Sequence, residues 1–176
     1  LQGVLVNDLG YKPFGNWSGQ GIGDVIFFGQ YRPINRSVYK QAFKLGVEVP
    51  TGRTDDPDNL VDVAFGKGHF ISFAEALNDF YVFNGNWILA ANAKYAYQWG
   101  HTPTYRLLPD SAIPLTSEKE QVYRKPGDIV TLNLHSEVRL VSDLTFNTDY
   151  TYTLKQKDKI GGNRYDYDYG ILEKNT

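Results

Sequence analysis

A chain of 176 residues with a formal charge of −2, 41% hydrophobic and 15% aromatic, is long enough for one domain with a sizeable core. Its near-neutral balance offers no basic field for phosphate, so no nucleic-acid partner is expected. With no Cys, neither a disulfide nor a thiolate metal site can form, and with no Met even at position 1 the chain reads as a processed or trimmed product.

The content of 13 Tyr, 10 Phe and 17 Gly favours strands joined by tight turns. The opening LQGVLVNDLG has neither the basic start nor the apolar core of a targeting segment, and residues 3–11 are a weak strand candidate. The longest apolar runs, VIFF and WILAA, fall far short of the ~18 residues of a spanning helix. Strands that cross a membrane in a barrel stay open, because they alternate and keep mean hydropathy low.

Period-two alternation then recurs down the chain. In residues 21–32, Val25, Phe27 and Tyr31 oppose Asp24, Gln30 and Arg32. In 38–49, Tyr39, Phe43, Leu45, Val47 and Val49 oppose Lys40, Lys44 and Glu48. Residues 69–83 read as a strand of uncertain register, although ISFAEALNDF also fits one or two helical turns. In 86–101, Trp87, Leu89, Ala91, Ala93, Tyr95, Tyr97 and Trp99 share one face, with Asn92 and Lys94 on the other. In 128–141, Val130, Leu132, Leu134, Val138 and Leu140 oppose Asn133, His135, Glu137 and Arg139. In 143–155, Leu144, Phe146, Tyr150, Tyr152 and Leu154 oppose Asp149 and Lys155. In 163–172, Tyr165, Tyr167, Tyr169 and Ile171 oppose Arg164, Asp166 and Asp168.

Short turns (33–37, 84–86, 142–143) and long polar connections (50–68, 100–127, 157–163) alternate strictly, which puts all short turns at one end of a meander and all long loops at the other. Outer-membrane barrels are built this way. The long stretch 100–127 reads as a partly mobile outer loop. The fold expected is therefore all-β: residues 1–176 as one antiparallel up-and-down transmembrane β-barrel domain of about eight visible strands, complete or part of a larger barrel.

Lengths favour lipid beside the apolar face. Trp87 and Trp99 are twelve residues apart, which at ~3.3 Å per residue and ~45° tilt is roughly 28 Å along a barrel axis. A lipid-facing band is ~25 Å tall and edged by aromatics, and Trp87, Trp99, Tyr97, Tyr150 and Tyr152 are the expected interface residues. The apolar face carries no charge, whereas Lys or Arg at the bilayer midplane costs about 2–4 kcal/mol. Lys40, Lys44, Glu48, Asn92, Lys94, Asn133, His135, Glu137, Arg139, Asp149 and Arg164 would then line the lumen, where both signs of charge can pair and meet water. A soluble barrel turned the other way round, apolar inside, fits the same alternation.

GIGDVIFFGQYR followed by FKLGVEVPTGRTDDPDN resembles the paired signature of the outer-membrane family named for the meta-pathway of phenol degradation. The matching residues are Gly21, Gly23, Asp24, Tyr31 and Arg32, then Leu45, Pro50, Thr51 and Gly52, over about residues 20–60. The resemblance implies a bacterial outer-membrane barrel that passes hydrophobic or aromatic small molecules. The chain departs from it by being short and by ending in ILEKNT rather than an aromatic strand, and an eight-stranded barrel would leave an interior filled by side chains.

Other classes have weaker support. Gly15-Asn16-Trp17 and Thr148-Asp149-Tyr150 resemble two three-residue lipocalin signatures, which would imply a soluble barrel binding a small apolar ligand. A structural or adhesive outer-membrane barrel is a further alternative. In His135-Ser136-Glu137 the serine points away from the other two, and His69 with Ser72 fails by the same parity, so no enzyme chemistry is expected. Asp55, Asp56 and Asp58 offer oxygen ligands without a full Ca²⁺ loop and read as solvated acids. No metal and no cofactor are expected; the partners are the lipid bilayer and a small-molecule solute.

Overall fold

A computed structural model describes residues 2–13, 19–106, 116–141 and 144–161, together with the backbone of 165–168 and 171–174. Its twelve strands are β1 (Val25–Asn35), β2 (Tyr39–Val49), β3 (Ile71–Val82), β4 (Trp87–Gln98), β5 (Thr104–Arg106), β6 (Lys119–Gln121), β7 (Tyr123–Lys125), β8 (Ile129–Val141), β9 (Leu144–Lys155), β10 (Lys159–Gly161), β11 (Tyr165–Asp168) and β12 (Ile171–Lys174).

The long strands, rich in β-branched and aromatic residues, form one six-stranded antiparallel sheet in the order β1-β2-β3-β4-β8-β9. The meander expected from the alternation is present, with every long strand beside its neighbour in the chain apart from the short strands between β4 and β8. Residues 69–83 settle as strand, not helix, because β3 pairs along its length with β2 and β4. Its register puts Ser72, Ala74, Ala76 and Phe80 with the apolar face, and Phe73, Glu75 and Asp79 with the charged one.

Three expectations are corrected. Residues 3–11 supply no strand: Val4–Asp8 forms one π-helical turn whose Leu5 is buried. Residues 163–172 are not one long strand, since β11 and β12 pair with each other as a separate two-stranded unit. The sheet is therefore six-stranded, not eight-stranded, and among the described residues it does not close: β1 and β9 are both edges. Period two reports a strand's faces but not which strand lies beside it, so closure was beyond the reach of the pattern.

The connections fall at the expected ends, although β1 runs on through residues 33–35 and shortens the turn expected at 33–37. Residues 36–38 and 83–86 join strands at one end, and 50–70, 99–128 and the chain after Lys155 lie at the other. The turn at Phe83–Gly85 is tight, with Phe83, Asn84 and Gly85 all at positive φ. The turn expected at 142–143 lies outside the described residues. In β1 the register shifts between Tyr31 and Ile34, which lets Pro33 sit at an irregularity of an edge strand where its missing N–H does least harm. The stretch 100–127 is more built than its length suggested. It holds β5, β6 and β7, β5 pairs with β6, and β7 pairs with β10.

Burial in the central strands is inverted relative to a soluble protein, while the edge strands β1 and β9 are exposed on both faces. On the apolar face Leu45 is 66% exposed, Phe146 61% and Tyr150 59%. On the other face the side chains of Lys44 and Glu75 are only 25% and 15% exposed. A small buried cluster of Ile71, Phe73 and Ala96, extended by Ile129, also sits on the charged face, near the long-loop end. Gly46 makes room for it: a Cβ there would clash with the Phe73 ring and lie 2.7 Å from the Phe27 carbonyl oxygen.

Candidate functional site

The charged face carries paired, cross-strand groups. Lys44 donates to Glu75 at 3.1 Å, its direct neighbour in the β2–β3 ladder. Glu48 takes Lys67 at 2.8 Å. Lys40 lies 4.4 Å over the Tyr81 ring and donates to its hydroxyl at 3.2 Å, while Lys94 lies 4.5 Å over Phe73. Lys40, Lys44 and Glu48 stand four residues apart on one face of β2, and each finds its partner off that strand. His135 Nδ1 is 2.7 Å from an Asp149 oxygen and its Nε2 is 4.0 Å from Glu137. Thr151 donates to Asn133 at 2.9 Å, and Asn92 accepts the Asn78 N–H at 3.2 Å. Arg139 shares this face by register, opposite Thr145. Arg164 lies outside the described residues.

Of the five aromatics, Trp87 starts β4 and Trp99 follows its last residue, so the two mark opposite ends of the apolar face. Each indole N–H donates to a serine on an adjacent strand, Trp87 to Ser136 and Trp99 to Ser72, both at 2.9 Å. Tyr97 meets Trp99 edge-on at 5.2 Å. Tyr150 and Tyr152 lie mid-strand, opposite Leu134 and Leu132, in line with Ala91 and Ala93.

Those serines sit apart from the histidines near them in the chain. Ser136 and His135 occupy opposite faces, Ser72 serves Trp99, and His69 is engaged by Gln98 Oε1 at 2.9 Å instead.

The motif residues around 21–52 come together at the long-loop end. The Asp24 carboxylate accepts the Gly52 N–H at 2.9 Å and the Lys67 N–H at 2.7 Å. The Thr51 hydroxyl donates to the Gly23 carbonyl at 3.1 Å and accepts the Val25 N–H at 3.1 Å. Gly52 packs so tightly on Gly66 that a Cβ would lie 2.7 Å from its Cα, and a Cβ on Gly66 would lie 2.5 Å from an Asp24 oxygen. Asp24 and Thr51 thus staple the start of β1 to the end of β2.

The loop acids are engaged differently from the solvated reading. Asp56 pairs with Lys12, and Asp58 holds both Arg106 and Lys119 at 2.6 Å. Ion pairing draws both carboxyls below their ordinary range, Lys12 acting on Asp56 and Lys119 on Asp58 ahead of burial, which opposes it. No group of three or more candidate metal ligands occurs among the described residues.

Arg106, which no pattern marked, is the hub of these loops. Its side chain is 7% exposed, it lies 3.8 Å over the Tyr11 ring, and it donates to the carbonyls of Leu9, Gly10, Pro57 and Thr116 as well as to Asp58. A lone Arg in a polar loop has no sequence signature for this role.

At the same end, His69 and His101 stack at 4.9 Å. Asp128 accepts from Tyr95 at 2.8 Å and from the Gln98 N–H at 3.1 Å. Asp158 pairs with Arg124 and Lys155 and accepts the Gly127 N–H at 2.9 Å. Burial pushes the Asp158 carboxyl up, but these three donors outweigh it and hold it far below the usual carboxylate range.

No family model and no curated protein matches this chain.

Proposed function

We propose that the chain forms wall of an outer-membrane β-barrel that lets small, partly hydrophobic molecules pass without covalent chemistry. The single observation that carries the reading is the inverted burial of the central strands: a charge-free apolar face, exposed across six strands, backs onto a face where central charges such as Lys44 and Glu75 are paired and half-sheltered. In water such a surface would exceed by far the few hundred Å² of apolar patch that monomers tolerate. Lipid removes that penalty, and Trp87 and Trp99 stand where the aromatic rims of a bilayer-spanning face belong. The likeness of Gly21 to Gly52 to the phenol meta-pathway family adds to the same reading. It requires further strands to meet the edges of β1 and β9, so that no backbone edge faces lipid.

The deciding experiment is solubility with and without amphiphile. The chain is expected to need detergent or bilayer to stay monodisperse, with its Trp fluorescence shifting to the blue on transfer to lipid vesicles. A chain that stays soluble and monomeric in plain buffer, with fluorescence indifferent to lipid, overturns the reading. For passage itself, neutralising Lys44 and Lys94 together is expected to change ion selectivity in planar-bilayer recordings; bilayers that hold the chain but never conduct or admit solute would leave a structural barrel.

A further inference from the structure

On the charged face, residues that pair across the ladders form rows running from strand to strand. One row reads Phe28, Gly46, Phe73, Ala96 and Ile129, on β1, β2, β3, β4 and β8. The next row, two residues nearer the short-turn end, reads Gln30, Lys44, Glu75, Lys94 and Thr131. At ~3.4 Å per residue the rows lie roughly 7 Å apart. The first row is an apolar band laid across an otherwise charged wall, and the second sets charge directly beside it.

The band is open at β1. Ile26 and Phe28 are exposed on this face, whereas Phe73 is buried with its ring over Gly46. Lys44 Nζ stands 5.3 Å from the centre of the Phe28 ring, and Lys94 Nζ 4.5 Å from that of Phe73. Lys94 thus reaches from β4 over a ring that itself reaches across to β2, which brings its ammonium and the Phe28 ring within the span of one small molecule. Glu75 lies between the two lysines in the ladder but accepts from Lys44 at 3.1 Å, and Lys94 makes no salt bridge among the described residues. Two ammonium groups against one carboxylate leave the row with a surplus positive charge, and a half-sheltered ammonium attracts an anion more strongly than one in open water does.

These two rows define a ligand class. A cation is repelled by the surplus charge, a neutral molecule leaves Lys94 without a counter-charge, and an anion with no hydrocarbon part gains nothing from Ile26 and Phe28. We propose that this face binds a small amphiphilic anion, a carboxylate on a compact hydrocarbon body, with the body against Ile26 and Phe28 and the carboxylate at Lys94. The proposal rests on the channel reading and names the solute that such a wall would select.

The test measures binding, not passage, so that it fails separately from the channel reading. The full chain in lipid nanodiscs is titrated with cyclohexanecarboxylate, cyclohexanol and cyclohexylammonium, which share a body and differ in head group, and with acetate, which lacks the body. Binding is followed by saturation-transfer NMR, with empty nanodiscs giving the background partition. The carboxylate is expected to bind saturably and at least tenfold more tightly than the other three. Lys94→Met, which keeps the apolar stem, should bring the carboxylate down to the level of the alcohol, and Lys94→Arg should keep the preference. Phe28→Ala, at an exposed position, should weaken carboxylate and alcohol alike, and it decides the matter if the Lys94→Met chain does not fold. Equal affinity for the three head groups, tighter binding of the ammonium, a folded Lys94→Met chain that still prefers the carboxylate, or a Phe28→Ala chain that binds as the unaltered one does would overturn the proposal. A chain that proves soluble without lipid would sink the channel reading alone, since the same titration then runs in plain buffer.

Discussion

The Asp24 carboxylate sits 2.9 Å from the Gly52 N–H, so the acid that opens β1 caps the turn that leaves β2. Because the same carboxylate also takes the Lys67 N–H at 2.7 Å, one side chain fixes three segments. Hydrogen bonds to a charged group contribute about 1.5–3 kcal/mol. Asp24→Ala is therefore expected to lower stability by about that amount, read as a fall in the urea midpoint, with Asp24→Asn losing less. Gly66→Ala should cost comparably, since its Cβ would press on Asp24. A wild-type midpoint for both Asp24→Ala and Gly66→Ala would show the staple to be idle.

The face assignment is tested by neighbours in β4. Ala93 belongs to the apolar face, and Asn92, one residue earlier, to the charged face. Ala93→Arg is expected to cost about 2–4 kcal/mol in folding into lipid bilayers, and Asn92→Arg much less. Ala96 cannot serve as the tolerant control, because at 9% exposure it is packed with Ile71 and Phe73. Equal penalties at residues 92 and 93 in bilayers would refute the lipid assignment.

Arg106→Lys keeps the charge but loses the planar fork that reaches four carbonyls and Asp58. It should open the loops locally, not unfold the sheet. Hydrogen exchange is expected to quicken in residues 5–13 and 56–62 while β3 and β4 keep their protection; unchanged exchange in those loops would remove Arg106 from its central position.

The sheet was legible where the code is local. Alternation in 21–32, 38–49, 86–101, 128–141 and 143–155 placed five of the six long strands and their faces, because side chains in a strand must alternate. The segment 69–83 was harder: Ala74, Ala76 and Asn78 dilute the apolar face while Phe73 and Leu77 enrich the other. The alternation in 163–172 was real but did not make one strand, since partner choice is a tertiary matter. Gly23, Asp24, Thr51 and Gly52 stood out as a motif, whereas their mutual bonds needed coordinates. Arg106 and the unpartnered nitrogen of His101 left no trace in the sequence, because both depend on loops meeting from far apart in the chain.

Asp158 sets an acid limit. Its carboxyl is lowered in the folded chain, so its stabilising contribution is complete above the ordinary carboxyl range near 3.8 and is lost as the pH falls below it. One such proton changes stability by up to about 1.4 kcal/mol per pH unit. Asp158→Asn is expected to flatten the acid limb of the stability–pH curve below about pH 4, measured by urea unfolding, and to leave its slope near neutrality unchanged. An acid limb identical to that of the unaltered chain would count against it.

The order of connections also has a kinetic meaning. Short links tie β1 to β2, β3 to β4 and β8 to β9, whereas residues 50–70 and 99–128 separate these pairs. Closing a loop about ten times longer costs on the order of 2 kcal/mol more. The chain is thus three hairpins before it is a sheet, and the seams Glu48–Ile71 and Trp87–Val138 are the last to zip. Pulse-labelled hydrogen exchange should find amides within each hairpin protected ahead of those that bridge the seams. During assembly, each hairpin must carry its bare apolar side through water or membrane surface alone, and the late seams set how long that exposure lasts.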